Sequence, residues 1–173
     1  MNNIIQKNII PKPELGDFLF FYPSKFNLIH KIINRYGGKY VHCGYSLGFN
    51  LVISMTFNGV KIEDLEESYY NRRVSVYKLK DNDFVFAKRL AMFYIDKSFV
   101  SKYDYVGLFH FLFPGILGIP NRFYCSEYLA MGLLYFGYLN EPIHLSPTEL
   151  ANSECLEYCY DFTVGLDKKN NID

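Results

Sequence analysis

Residues 39–57 read KYVHCGYSLGFNLVISMTF, and this stretch decides the fold because it holds two candidate strands in succession. Its aromatic and β-branched residues predict one strand over 39–49 and a second over 51–57. The Asn58-Gly59 pair that follows is a strong turn signal. We therefore expect this part of the chain to form neighbouring strands of a small antiparallel sheet.

The segments on either side of this stretch extend the sheet. Apolar runs over 18–22 and 74–79 predict two more strands. The run 63–71 is polar, and it predicts a loop or a short helix. The sheet therefore draws on strands from the first half of the chain.

Apolar residues at helical spacing predict three helices, over 24–36, 83–99 and 125–138. The second helix is expected to begin after Asp83, and its apolar face contains Phe84, Ala87, Ala91, Tyr94 and Ile95. The segment Ser146-Pro147-Thr148-Glu149 has the spacing of a capping box, with proline at the first helical position. It predicts the start of a fourth helix.

These elements predict one α+β domain in which antiparallel strands pack against helices. We place this domain at residues 15–166, between an N-terminal arm at 1–14 and a flexible tail at 167–173. The length of 173 residues fits a single domain. Half of the residues are hydrophobic and 21% are charged, which excludes a disordered chain.

The charge balance limits the classes of partner. Lys and Arg total 18, as do Asp and Glu, so the chain lacks the basic excess of a nucleic-acid binder. The N-terminus has no secretory signal pattern, and the apolar stretch from Val106 to Arg122 is too short and too broken for a transmembrane segment. We therefore expect a chain that is cytoplasmic as synthesised. The oligomeric state is left open.

The four cysteines are Cys43, Cys125, Cys155 and Cys159, too few for a disulfide scaffold. Cys155 and Cys159 are four residues apart. They are either two metal ligands on one helical face or two half-buried small apolar residues. The sequence implies no metal and no organic cofactor.

Cys125 is the residue that stands out chemically. It lies at the start of a predicted helix, where unpaired N–H groups and the helix dipole favour a thiolate. His42, in a predicted strand, supplies a candidate base, and the backbone N–H of Cys125 supplies a candidate donor for an oxyanion. The alternative is a core cysteine and a structural histidine. The other histidines, His30, His110 and His144, are interpreted as structural.

Five short segments together resemble the permuted NlpC/P60 papain-like superfamily. They are Gly16-Asp17-Phe18-Leu19-Phe20, Val41-His42-Cys43-Gly44-Tyr45-Ser46-Leu47-Gly48, Tyr103-Asp104-Tyr105, Phe123-Tyr124-Cys125-Ser126-Glu127-Tyr128-Leu129-Ala130 and Leu145-Ser146-Pro147-Thr148-Glu149-Leu150. The resemblance spans residues 15–152. It implies a circularly permuted papain-like fold, in which the histidine strand precedes the cysteine helix and a small antiparallel sheet or half-barrel packs against helices.

The resemblance also implies roles for individual residues. Cys125 becomes the nucleophile and His42 its base, and the position that orients the imidazole falls on Ser54. Ser54 departs from the family pattern, because a hydroxyl carries no charge to balance an imidazolium. Asn50 and Asn58 are alternative orienting residues.

Four more residues are expected near the cleft or behind it. Glu127 and Ser126 lie in the first turn of the cysteine helix, where a carboxylate suits the dipole. Asp17 is expected to buttress the start of its strand. Tyr45, like Tyr40, either lines the cleft or packs in the core.

Three functions follow from the resemblance and the residues. The first is a cysteine hydrolase that cleaves an amide, with a peptide bond in cell-wall peptidoglycan as the leading substrate. The second is a lipid acyltransferase or thioesterase that uses the same dyad on an acyl substrate. The third is a catalytically silent binding or structural module. Phage and poxvirus relatives make a viral protein, in the host cytoplasm or in a virion, compatible with each.

Overall fold

The computed structural model describes residues 12–24, 38–81, 83–99, 101–103, 122–140 and 145–165. The strands are β1 Phe18–Phe21, β2 His42–Gly48, β3 Leu51–Thr56, β4 Gly59–Asp64, β5 Arg73–Leu79, β6 Lys102–Tyr103, β7 Arg122–Phe123 and β8 Leu156–Thr163. The helices are α1 Leu65–Tyr69, α2 Phe84–Ser98, α3 Cys125–Tyr135 and α4 Pro147–Ala151. The predicted α+β class is confirmed.

Six of the strands form one antiparallel sheet, in the order β4-β3-β2-β1-β5-β8. The remaining two, β6 and β7, pair in parallel, and β7 leads into α3. β1 lies in the middle of the large sheet, where Phe20 pairs with Cys43 and Phe21 pairs with His42. None of the described helices has the length and apolar character needed to cross a bilayer.

Side chains alternate between the two faces of the sheet, because successive residues of a strand point in opposite directions. One face carries Phe18, Phe20, Cys43, Tyr45 and Ile53, and the core on this side includes α3. The other face carries a smaller apolar cluster that includes α1; its strand members are Leu19, Phe21, Val52, Val74 and Val76. Adjacent residues of β2 therefore pack against different apolar clusters, on opposite faces of the sheet.

The helices begin where local capping predicts. Asp83 accepts a hydrogen bond from the Phe86 amide at 2.7 Å and caps α2. Ser146 and Glu149 exchange the two hydrogen bonds of a capping box at the start of α4, at 3.2 and 2.7 Å. Both predicted starts are confirmed.

The predicted apolar face of α2 is wrong at two positions. Ala87, Ala91 and Tyr94 are buried, as expected, but Phe84 is 63% exposed and Ile95 is 36% exposed. Phe84 begins the helix, beyond the stripe that packs on the core. Ile95 departs from the stripe because steps of four residues drift around a helix with 3.6 residues per turn.

Other predicted boundaries also differ. The helix at Cys125 ends at Tyr135 rather than Tyr138, and Gly137 then adopts a left-handed φ of 80°. Four strands were not predicted: β4, β8 and the two-residue strands β6 and β7. β8 contains Cys159, whereas Cys155 precedes it in a turn, so the alternative in which the two thiols share a helical face is wrong. The alternative of two half-buried residues fits Cys155 but not Cys159, which is exposed. The predicted helix at 24–36 and the segment 104–121 lie outside the described residues, as do His30, His110 and His144.

A polar cluster joins β8 to the middle of the sheet. The Asp161 carboxylate accepts hydrogen bonds from Ser75 at 2.5 Å, Arg73 at 2.6 Å and Tyr22 at 3.1 Å. Burial opposes ionisation of this carboxyl, but these three donors hold its pKa below the ordinary value. The cluster therefore favours the charged form of Asp161 in the folded chain.

Candidate active site

Cys125 is the first residue of α3, and its sulfur lies at the end of the helix where backbone N–H groups lack intrahelical partners. Tyr124 precedes it in an extended conformation, which ends the β7 segment and starts the helix. The Cys125 side chain is buried against the sheet, with 7% of its surface exposed. The predicted position of this thiol at a helix start is confirmed.

The surroundings of Cys125 favour its thiolate. Hydrogen bonding to the thiol of Cys43 is the largest effect that lowers the Cys125 pKa, and burial opposes it. The positive charge and hydrogen bonding of His42 lower this pKa further, and the result lies well below the ordinary value. Cys43 itself is fully buried, and this burial raises its pKa, so that it keeps its proton and acts as the donor.

His42 is the first residue of β2, and its ring lies against the aromatic side chains of the second face. Its centroid is 5.3 Å from that of Phe21 and 5.9 Å from that of Tyr69, whose ring is nearly parallel to it. The Nε2 atom lies 3.2 Å from Ser54 Oγ and 3.2 Å from Tyr69 Oη. The imidazole is therefore held through one nitrogen.

The hydrogen bonds around Nε2 have a consistent direction. Tyr69 Oη donates to Glu63 Oε2 at 3.0 Å, since a carboxylate can only accept. The Tyr69 oxygen is then free to accept from the Nε2–H of His42 and from Ser54, whose hydroxyl lies 3.4 Å away. We assign the Nε2–H tautomer on this network, which leaves Nδ1 as the basic nitrogen.

Ser54 occupies the position that the sequence predicted for it. It is fully buried on β3, and its hydroxyl is one of the two oxygens beside Nε2. The two alternative orienting residues make other hydrogen bonds. The Asn50 side chain donates to Glu66 at 3.1 Å, and Asn58 takes part in the β3–β4 turn through its backbone.

The other four predicted residues hold the scaffold together. Asp17 accepts from the Glu14 amide at 2.8 Å, in keeping with a buttress at the start of β1. Tyr45 packs in the core and donates to the Ala87 carbonyl at 2.9 Å. Ser126 donates to the Leu145 carbonyl at 2.5 Å, and Glu127 accepts from the Tyr124 amide at 3.2 Å. Asp17 thus holds the start of β1, Ser126 and Glu127 hold the start of α3, and Tyr45 joins β2 to α2.

Sequence reasoning missed three residues of this cluster: Cys43, Tyr69 and Glu63. Cys43 had no predicted role at the site. Because successive residues of a strand point to opposite faces, its place next to His42 was the signal that puts it on the helix side of the sheet. Tyr69 and Glu63 belonged to the run interpreted as a loop or short helix. Within the described ranges, no group of three His, Cys, Asp or Glu side chains is placed to hold a metal ion.

In comparisons with known proteins, no family model matches the chain and no curated sequence matches it. The chemistry of the site is therefore argued from side-chain positions and charges.

Proposed function

We propose that this protein is a cysteine hydrolase that cleaves amide bonds, with Cys125 as nucleophile and His42 as base. The observation that carries the proposal is a buried thiol at a helix N-terminus whose pKa is lowered by Cys43 and by His42, together with a His42 imidazole that is held through Nε2. A thiolate attacks a carbonyl far better than a thiol does, and a fixed imidazole is the partner that such attack requires.

The steps follow from these two groups. The Cys125 sulfur donates an electron pair to the amide carbon, and the carbonyl oxygen takes the negative charge beside the N–H groups of the first turn of α3. The C–N bond then breaks as His42 gives its proton to the departing amine. Water attacks the resulting thioester, His42 takes a proton from that water, and the C–S bond breaks to release the acid and the thiolate.

The substrate class comes from the motif resemblance, which favours peptide bonds of peptidoglycan. The circularly permuted papain-like arrangement is part of the same proposal. In that arrangement the histidine strand precedes the cysteine helix, which is the order of β2 and α3 in this chain. Acyl transfer or thioester hydrolysis would use the same sulfur and the same imidazole. Only the substrate that is turned over can therefore distinguish these reactions from amide hydrolysis.

The test is a substrate panel given to the full chain. Peptidoglycan fragments and acyl esters are incubated with wild type, Cys125→Ala, His42→Ala and the matched control Cys159→Ala, which removes an exposed thiol on β8. We expect amide cleavage, seen by mass spectrometry, in wild type and Cys159→Ala and its loss in the other two. If only the esters are turned over, the protein is an acyltransferase or thioesterase and the proposed amide cleavage is wrong. If no substrate is turned over and no acyl adduct forms on Cys125, both enzymatic functions are rejected and the catalytically silent binding module remains.

A further inference from the structure

The cluster around His42 continues past Ser54 to a charged residue. Nε2 is equally far, at 3.2 Å, from Ser54 Oγ and from Tyr69 Oη, and Tyr69 Oη lies 3.0 Å from Glu63 Oε2. The carboxylate is therefore linked to the imidazole through one tyrosine hydroxyl. This chain of hydrogen bonds supplies the negative charge that Ser54 lacks.

Tyr69 is suited to transmit this charge because it keeps its proton. Burial raises the pKa of Tyr69, and the neighbouring charge of Glu63 raises it further. The proton therefore stays on Oη and is donated to Glu63, while the same oxygen accepts from Nε2–H. A positive charge on the ring strengthens each of these hydrogen bonds in turn.

Regular elements fix both residues in place. Glu63 lies on β4 and pairs with Val52 of β3, one residue before the end of its strand. Asp64 then caps α1 through the amides of Glu66 and Glu67, so the short helix starts at a defined point and carries Tyr69 back over the sheet. The Tyr69 ring stacks on Phe21, with centroids 4.3 Å apart. The link is thus built from backbone pairing, a cap and a ring stack.

We propose that Tyr69 and Glu63 are positioning residues for His42: together they fix its Nε2–H tautomer and stabilise its positively charged form beside the Cys125 thiolate. This rests on the proposed function, because it assumes that His42 and Cys125 form the reactive pair. Ser54 is then a second acceptor for the ring, and Glu63 takes the role that an acidic orienting residue would have.

Other charged or ionisable groups also face this cluster. The thiols of Cys125 and Cys43 lie on the helix side, and burial raises the pKa of the second. On the opposite side the Arg72 guanidinium interacts with Tyr69, and burial lowers the Arg72 pKa. Since these groups stay unchanged in variants of Glu63, a change of charge at Glu63 can be measured against a constant background.

The test uses two variants that keep the packing. Glu63→Gln retains an oxygen that can accept from Tyr69 but removes the charge, and Tyr69→Phe retains the ring stack but removes the hydroxyl. The matched control is Glu67→Gln, which removes an exposed carboxylate from the same segment. The rate of alkylation of Cys125 by iodoacetamide is followed against pH by peptide mass spectrometry. The ring ¹⁵N shifts of His42 report its tautomer.

An opposite charge about 6 Å from an ionisable pair moves its titration by one unit or more. We therefore expect the share of Cys125 that is a thiolate beside a charged imidazole, and with it the His42-dependent alkylation rate below the ordinary cysteine pKa, to fall by up to about tenfold in Glu63→Gln and Tyr69→Phe. Tyr69→Phe should also mix the two tautomers of His42, whereas Glu67→Gln should match wild type in both measurements.

The outcomes separate this inference from the proposed function. If wild type is alkylated at acidic pH in a His42-dependent manner, and both variants keep its profile and tautomer, the positioning role is overturned and the hydrolase proposal stands. If wild type itself shows an ordinary thiol profile, the proposed function fails first. Should Tyr69→Phe fail to fold, the near-isosteric Glu63→Gln decides the question.

Discussion

Replacement of Cys43 by alanine should make Cys125 a more ordinary thiol. Cys43 is fully buried on β2, and its hydrogen bonding is the largest effect that lowers the Cys125 pKa. Cys43→Ala removes this donor and leaves the backbone and His42 in place. The thiolate of Cys125 then loses one of its stabilising partners.

The size of the change follows from the energy of such a contact. A hydrogen bond to a charged group contributes about 1.5–3 kcal/mol, and a thiol is a weak donor, so the lower end applies. Since one pKa unit corresponds to about 1.4 kcal/mol, the Cys125 pKa should rise by about one unit. Removal of the buried sulfur should also reduce the free energy of unfolding by about 1 kcal/mol, through lost packing.

The assay is the pH dependence of iodoacetamide alkylation, quantified on the peptide that contains Cys125 because Cys155 and Cys159 also react. Cys43→Ser is the matched control, because it loses the same sulfur but keeps a hydroxyl that can donate. We expect the alkylation midpoint to rise in Cys43→Ala and to stay near wild type in Cys43→Ser. An unchanged midpoint in Cys43→Ala would refute the role of the Cys43 donor, and an equal rise in both variants would assign the effect to packing.

Three more predictions follow from the packing and the polar clusters. A methyl group added at Gly132 would lie 2.6 Å from the buried ring of Tyr94. Although alanine favours helices, Gly132→Ala should therefore lower the free energy of unfolding, measured by urea titration, by about 1–3 kcal/mol. An unchanged free energy of unfolding would contradict this packing. The depressed pKa of Asp161 contributes stability that is present above the ordinary carboxyl pKa and lost as the pH falls through the folded value. Asp161→Asn should therefore have a lower Tm than wild type at neutral pH and a smaller loss of Tm on acidification, and parallel Tm–pH curves would rule this out. Ser54→Ala leaves Tyr69 beside Nε2, so the alkylation midpoint of Cys125 should shift less than in Tyr69→Phe; a larger shift would make Ser54 the main support of the ring.

Local chemistry was enough to predict the interior of the fold from the sequence. The central strands β2 and β3 carry dense apolar runs, Asp83 and Ser146 cap their helices, and Cys125 lies where its helix begins. These features depend on neighbours along the chain. They could therefore be recognised without knowledge of the three-dimensional contacts.

Two of the four missed strands, β4 and β8, are the two edges of the large sheet, and the other two, β6 and β7, are only two residues long. Edge strands are exposed along much of their length, and β8 accordingly has mostly polar and aromatic residues in place of a buried apolar run. Tyr69 and Glu63 were missed for the same reason, because their contacts depend on an edge strand. Tyr69 reaches His42, and Glu63 reaches Tyr69, only because β4 pairs with β3 and α1 folds back over the sheet. No short spacing in the sequence indicates these contacts.

The most direct test of the central claim is the ionisation of Cys125 itself. The ultraviolet absorbance of its thiolate is followed against pH as the difference between wild type and Cys125→Ala, and then again in the His42→Ala background. We predict that the wild-type thiolate forms at a pH well below the ordinary cysteine value of about 8.5, and that its pKa rises toward that value when His42 is absent. A wild-type thiol that ionises at the ordinary value, with or without His42, would contradict the proposed catalytic pair.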